Sequence, residues 1–233
     1  MSFELVPYAH GDTHLTGKLA LPEGTPRGAV VVFPNIANGG ARTDQTLRDL
    51  AEAGFIAFQA DFYGFVPETF EASFAVGGPL RQDPAFYRAR CAAAEAALRA
   101  RPEVAGLKVA AIGYCMGGAA VLELARAGHD LAVVVSYHGI LDTQLPAAPG
   151  TIKARILVCH GDADPLVDRQ QVLRFWEEMD AAEGNWHFHS YARVKHGFTE
   201  PEADSRGKEF LAYNRSADRQ SWAATLALFD EVF

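Results

Sequence analysis

Five unbroken apolar runs, separated by helix-like segments, constrain the fold of this chain more than any other feature. They cover 30–33, 55–58, 109–112, 131–135 and 156–159. A strand with one face in water alternates apolar and polar side chains, whereas an unbroken, β-branched run has both faces covered. The runs are therefore expected to be strands of a parallel sheet. Segment 186–191 does alternate, which places it nearer the sheet edge. Helices are expected over 43–53, 84–101, 116–127, 168–183 and 221–233. The first carries Leu47, Leu50 and Ala51 on one face and stops at Gly54, and the second opens with Asp83 as cap and Pro84 in the first turn. Strand and helix alternate, so the fold class is α/β, a mostly parallel, doubly wound sheet with helices on both faces. Segments 3–8 and 15–21 read as an antiparallel pair on one edge.

At 233 residues and without a Gly-Ser-Pro linker, the chain is expected to form one domain over 1–233. One stretch breaks the alternation. Residues 61–82 carry Phe62, Tyr63, Phe65, Phe70 and Phe74 together with Gly64, Gly77, Gly78 and Pro79. That is long and aromatic for a plain connection, and it is expected to act as a pocket loop or lid. The net charge of −8 leaves no basic footprint, which argues against nucleic acid and anionic membranes as partners. The uncharged stretch 109–122 carries three glycines and is too short to span a bilayer. Segment 1–13 lacks the basic start and apolar run of a secretion signal. Three cysteines, Cys91, Cys115 and Cys159, form no Cys-x-x-Cys pair and leave one over. A reducing cytoplasm is the expected location.

The chemistry centres on Gly113-Tyr114-Cys115-Met116-Gly117-Gly118, where an expected strand gives way to an expected helix. This is the nucleophile-elbow pattern, Gly-x-Nuc-x-Gly, with cysteine in place of the more usual serine. The nucleophile sits in a strained turn, and a side chain two positions to either side would strike neighbouring backbone. A thiol at a helix N-terminus has its thiolate favoured by free N–H groups and by the helix dipole. The same region can hold an oxyanion, with Met116 N–H as first donor and Ile36 N–H, from the loop after 30–33, as second.

In this fold the order of catalytic groups is nucleophile, acid, histidine. Asp164 in His160-Gly161-Asp162-Ala163-Asp164 is taken as the acid, with Asp162 as turn former, and His196 in Lys195-His196-Gly197-Phe198 as the base. Both segments follow expected strands, at the carboxyl ends where open α/β sheets bind ligands. Other signals carry less. His187 and His189 share one strand face without a third ligand, so no metal site is expected there. Leu173, Val172 and Trp176 read as the core face of a helix, and Cys91 and Cys159 as inert buried thiols. Tyr137 and His138, after the strand at 131–135, are expected to line the site.

These motifs resemble the dienelactone hydrolases, a branch of the α/β-hydrolases with a Cys-His-Asp triad. Asp61-Phe62-Tyr63-Gly64, Tyr213-Asn214 and Ser221-Trp222 add to the likeness, which covers nearly the whole chain. The resemblance implies a small-molecule ester or lactone substrate, a thioester acyl-enzyme, and no cofactor or metal. Two positions depart from it. Asn35 stands where the best-known members carry a glutamate that takes part in activating the thiol, and an amide cannot accept that proton. Glu200 stands where they carry a carboxylate-binding arginine, four residues past the histidine, and is expected to repel a substrate carboxylate; Arg81 is the candidate to compensate. The substrate-binding set expected is Asn35, Phe62, Tyr63, Arg81, Tyr137, His138 and Phe198. The alternative reading is a non-catalytic or redox-sensing protein on a hydrolase scaffold, since such a thiol is oxidisable without substrate.

Overall fold

The unbroken apolar runs are buried on both faces because helices cover both faces. The computed structural model describes residues 2–233. Its strands are β1 (Glu4–His10), β2 (Thr13–Ala20), β3 (Gly28–Phe33), β4 (Phe55–Gln59), β5 (Val109–Tyr114), β6 (Val133–Tyr137), β7 (Arg155–Gly161) and β8 (Asn185–Tyr191). They form one sheet in the order β1-β2-β4-β3-β5-β6-β7-β8. β1 and β2 pair antiparallel at one edge, β2 runs antiparallel to β4, and the remaining pairs are parallel. β8, the alternating strand, is the opposite edge.

The helices are α1 (Ala41–Glu52), α2 (Phe70–Gln82), α3 (Pro84–Arg99), α4 (Met116–Arg126), α5 (Arg169–Ala181) and α6 (Arg215–Val232). Along β3, Ala29, Val31 and Phe33 join the layer under α3 and α4, while Val30 and Val32 join Leu47 and Leu50 of α1 and Phe229 of α6. The same period-two division runs through β5, β6 and β7. Chain order reverses at β3, which has β4 on one side and β5 on the other. A crevice opens at such a switch point, between the loops leaving the two strands. Here those loops are Pro34–Gly40 and the turn at Cys115.

Three local expectations need correction. Segment 61–82 is not all loop, because 70–82 is helix α2, whose Thr69 cap accepts from Ala72 N–H at 3.0 Å. Gly77, Gly78 and Pro79 sit inside that helix, and Gly77 lets it close on Ile36. A Cβ at Gly77 would lie 2.6 Å from Ile36 Cγ1. Helix α6 starts at Arg215, well before 221, because the Asn214 side chain caps it by accepting from Ala217 N–H. On α5 the buried face is Gln171, Val172, Phe175 and Met179, whereas Leu173 and Trp176 are exposed. Among the described residues no helix is long and apolar enough to cross a membrane.

Candidate active site

The turn from β5 into α4 is a strained one, held open by glycines. Cys115 has φ 53 and ψ −112, a conformation that costs a non-glycine residue energy and persists only where the surroundings impose it. A Cβ on Gly113 would lie 2.0 Å from Gly117 O, and one on Gly117 would lie 2.1 Å from Phe33 O and 2.5 Å from Pro34 O. Only hydrogen at those positions lets α4 start against the end of β3. That close approach brings Met116, the first residue of α4, beside Ile36. No side chain caps α4, and the first N–H groups of a helix have no intrahelical acceptor. Among the described residues, neither Ile36 N–H nor Met116 N–H donates a hydrogen bond.

The loops around this point are tied together by buried polar groups. Asp61 Oδ1 accepts from Asn38 Nδ2, Tyr63 N–H and Gly64 N–H, while Oδ2 accepts from Thr16 N–H. Tyr63 Oη donates to Ile36 O at 3.1 Å, and Tyr87 Oη donates to Met116 O at 2.7 Å. Both candidate oxyanion donors are thus braced from behind by tyrosines.

Asp164 and His196 meet the same crevice from β7 and β8. Asp164 Oδ2 lies 2.6 Å from His196 Nδ1, and its Oδ1 accepts from Leu166 N–H at 2.9 Å. The His196 backbone is pinned by Leu211, through an isolated bridge, and donates to Phe210 O. His196 is 1% exposed and its Nε2 has no hydrogen-bond partner. Burial alone would depress this imidazole, but the Cys115 thiolate and the Asp164 carboxylate outweigh it and lift it to about 10. The Cys115 sulfur and the Asp164 carboxylate therefore both favour the protonated imidazole.

Cys115, His196, Met116, Ile36, Asn35 and Arg81 all line one cavity of about 270 Å³. Its remaining wall is mostly apolar, with Phe70, Phe74, Ile140, Leu166, Phe210 and Leu211. Other members of the expected substrate set do not line it. Phe62 is buried against Phe33 and Tyr87, and Tyr63 stands behind Ile36 and Met116. Phe65, from the expected pocket loop 61–82 and not from that set, is 54% exposed and lies outside the cavity. Tyr137 stacks on Tyr114 and bonds Thr225 inside the α1/α6 layer, because its position in β6 points it to that face. Phe198 is fully buried in the same layer. His138 is buried behind the turn rather than in the cavity.

Glu200 also differs from expectation. It lines the cavity, but its carboxylate accepts from Asn35 Nδ2 at 2.6 Å and pairs with Arg206 at 2.6 Å, so its charge is balanced there by protein groups. Asn35 is held at its other end by Ala37 N–H, which donates to Oδ1. Arg206 was invisible as a site residue in the sequence, since it lies in a segment with no motif around it, whereas Phe70 and Phe74 belong to the stretch 61–82 expected to form a pocket loop. Arg81, by contrast, makes no ion pair or hydrogen bond among the described residues and is half-buried at the cavity wall. Cys91 and Cys159 are fully buried, and burial pushes both thiols up, Cys159 to about 12.

A sequence model described as the dienelactone hydrolase family matches residues 15–233. The chain belongs to the dienelactone hydrolase family. This dienelactone hydrolase-family chain is similar to the solved structure of a dienelactone hydrolase-like promiscuous phosphotriesterase from metagenomic libraries. That match has a TM-score of 0.90 and 37% identity, and covers 100% of this chain and 98% of that one. A Bradyrhizobium protein described as a probable 2-oxo-3-(5-oxofuran-2-ylidene)propanoate lactonase is 28% identical over 210 residues, 85% of this chain and 81% of that protein. An uncharacterized Caenorhabditis elegans protein is 37% identical over 147 residues, 62% of this chain and 92% of its own length. Family and relatives alike make the protein a hydrolase on the α/β-hydrolase fold.

Proposed function

We propose that this hydrolase cleaves carboxylic esters or lactones, with Cys115 as nucleophile, His196 as general acid and base, and Asp164 as the group that orients it. The observation that carries this reading is the buried, unpartnered Nε2 of His196 in the same cavity as Cys115 and the free N–H groups of Met116 and Ile36. The Cys115 thiolate attacks the carbonyl carbon, and the two N–H groups hold the oxyanion. Collapse breaks the ester C–O bond, and His196 gives its proton to the departing alkoxide. Neutral His196 then takes a proton from water as that water adds to the thioester. Release of the acid returns thiolate and imidazolium.

Thiolate leaves more readily than amine, so an amide adduct reverts. Esters with stabilised leaving groups, enol lactones among them, go forward. The cavity is just below the range that holds drug-sized ligands, and its apolar wall suits a small hydrophobic or aromatic acyl group. Arg81 supplies an uncommitted cation at its edge for an anionic substituent. Similarity to the Bradyrhizobium lactonase supports the lactone branch. Similarity over the full chain to the phosphotriesterase supports a second reading, in which the same thiolate attacks phosphorus in an activated phosphotriester. The unpaired cysteines, two of them buried, support a cytoplasmic location.

Stopped-flow hydrolysis of p-nitrophenyl acetate by wild type and Cys115→Ala, with intact-mass analysis of quenched samples, tests the proposal. A burst, an acetyl adduct on Cys115 and continued turnover, all lost in the variant, are expected. Acylation without turnover would favour the redox-sensing alternative, and hydrolysis that survives in Cys115→Ala would refute the thiol mechanism.

A further inference from the structure

Outside the cavity, one buried histidine joins the two halves of the site. His138 follows β6 with φ 41 and is 1% exposed. Its Nδ1 lies 3.1 Å from Cys115 N, and its Nε2 lies 2.8 Å from Thr199 Oγ1. The ring also meets the His196 ring edge-to-face, with centroids 5.0 Å apart. We propose that His138 is a positioning residue, a neutral imidazole strut that fixes the nucleophile's backbone against the loop carrying His196. The inference rests on Cys115 and His196 acting together as described above.

The hydrogen bonds dictate the tautomer. Cys115 N–H can only donate, so Nδ1 must accept and the proton belongs on Nε2, which donates to Thr199 Oγ1. A second proton on Nδ1 would set N–H against N–H and break the link to Cys115. The surroundings oppose that proton as well. Burial holds this imidazole well below its ordinary range, and His196, Arg42 of α1 and Arg206 add positive charge around it. The rings of Tyr114 and Phe198 close the remaining sides. Of two histidines in contact, His196 carries the charge and His138 stays neutral.

The strut acts at both ends. At Cys115 the N–H also points to Tyr137 O at 3.0 Å, and the side-chain acceptor gives the strained turn a second hold. Thr199 sits three residues past His196, in a buried segment whose Asn214 N–H to Phe198 O bond anchors its far side. One rigid ring therefore sets how far the sulfur stands from Nε2 of His196. A leucine side chain can make neither bond, and the shorter asparagine side chain keeps an acceptor near the Nδ1 position alone.

The test uses the full chain and two variants, His138→Leu and Thr199→Val, with His138→Asn as partial rescue. Alkylation of Cys115 by iodoacetamide is followed against pH, which reads the Cys115–His196 pair without requiring hydrolysis. The acylation burst with p-nitrophenyl acetate is measured alongside. A shift on the order of 1 Å in a reacting pair costs up to ~10²-fold, so His138→Leu is expected to slow acylation by ~10- to 100-fold with KM little changed and with a displaced alkylation profile. Thr199→Val, isosteric and buried, is expected to move both readouts the same way by a smaller factor. His138→Asn, which keeps an acceptor for Cys115 N–H, is expected to recover part of the loss. If folded Thr199→Val and His138→Leu both alkylate with the wild-type pH profile and acylate at the wild-type rate, the strut is overturned. If His138→Leu does not fold, Thr199→Val alone decides by the same criterion. Failure of the thiol mechanism itself is separate, since it appears as hydrolysis that survives in Cys115→Ala.

Discussion

Replacing Gly117 by alanine tests how the turn at Cys115 assembles the site. The added Cβ would lie 2.1 Å from Phe33 O, 2.5 Å from Pro34 O and 2.6 Å from Phe33 C, whereas ordinary contact begins near 3.4 Å. All three atoms are backbone. β3 is paired with β4 on one side and β5 on the other, so it cannot yield. The start of α4 must then retreat by about 1.3 Å, the difference between 3.4 and 2.1 Å. That movement carries Met116 N–H away from Ile36 N–H and displaces Cys115 from His196. Loss of one oxyanion donor alone costs ~10²–10³ in kcat, and a misplacement of about 1 Å costs a similar factor. Acylation in Gly117→Ala is therefore expected to fall by ~10²–10³-fold. Overpacking of this kind costs ~1–3 kcal/mol, which for a chain of this size lowers Tm by ~2–12 °C. Burst kinetics with p-nitrophenyl acetate and a thermal melt measure both effects. Acylation within threefold of wild type, with an unchanged Tm, would show that α4 does not start against β3 as described.

Further predictions concern charge. His196 is raised above its ordinary value, so the stabilisation from its protonated form is complete below about 6.5 and is lost as pH rises through about 10. The alkaline limb of kcat/KM is expected in that region, and in Cys115→Ser, which removes the thiol, the His196 imidazole is expected to titrate at lower pH by NMR; an unmoved His196 titration would refute the coupling. Asp164→Asn is expected to lower acylation by ~10²–10⁴-fold, the usual contribution of a correctly oriented general acid–base, and near-wild-type burst kinetics would count against its role. Arg206→Met leaves the buried Glu200 carboxylate with only Asn35, at a cost of about 3 kcal/mol in urea denaturation; adding Glu200→Gln is expected to restore most of it, and no recovery would mean the pair does not carry the effect.

Much of this arrangement was legible in the residues themselves. The runs at 30–33, 109–112 and 156–159 specify strands covered on both faces, because period-two burial on both sides leaves no room for a polar residue. Gly113 and Gly117 flank Cys115 for a steric reason that a sequence displays, since only glycine permits such close backbone contacts. Asp164 and His196 were readable because a loop at the carboxyl end of a strand in this topology opens on the crevice. Helix α2 was not readable, because Gly77-Gly78-Pro79 argues locally against a helix and the contact with Ile36 that favours it is distant in sequence.

The side of a strand or loop on which a residue falls was decided by tertiary structure. Tyr137 and His138 are neighbours at the end of β6, and both looked like cavity residues. The pleat sends Tyr137 into the α1/α6 layer, and the positive φ at His138 turns its ring behind Cys115. Glu200 shows the same limit for charge. Read alone, it is a carboxylate facing a substrate; in the fold, Asn35 and Arg206 reach it from separate segments and balance it. Local sequence determines which backbone conformations and which chemistry are available. Pairing, burial and orientation depend on groups brought together across the sheet, and those are properties of the folded chain.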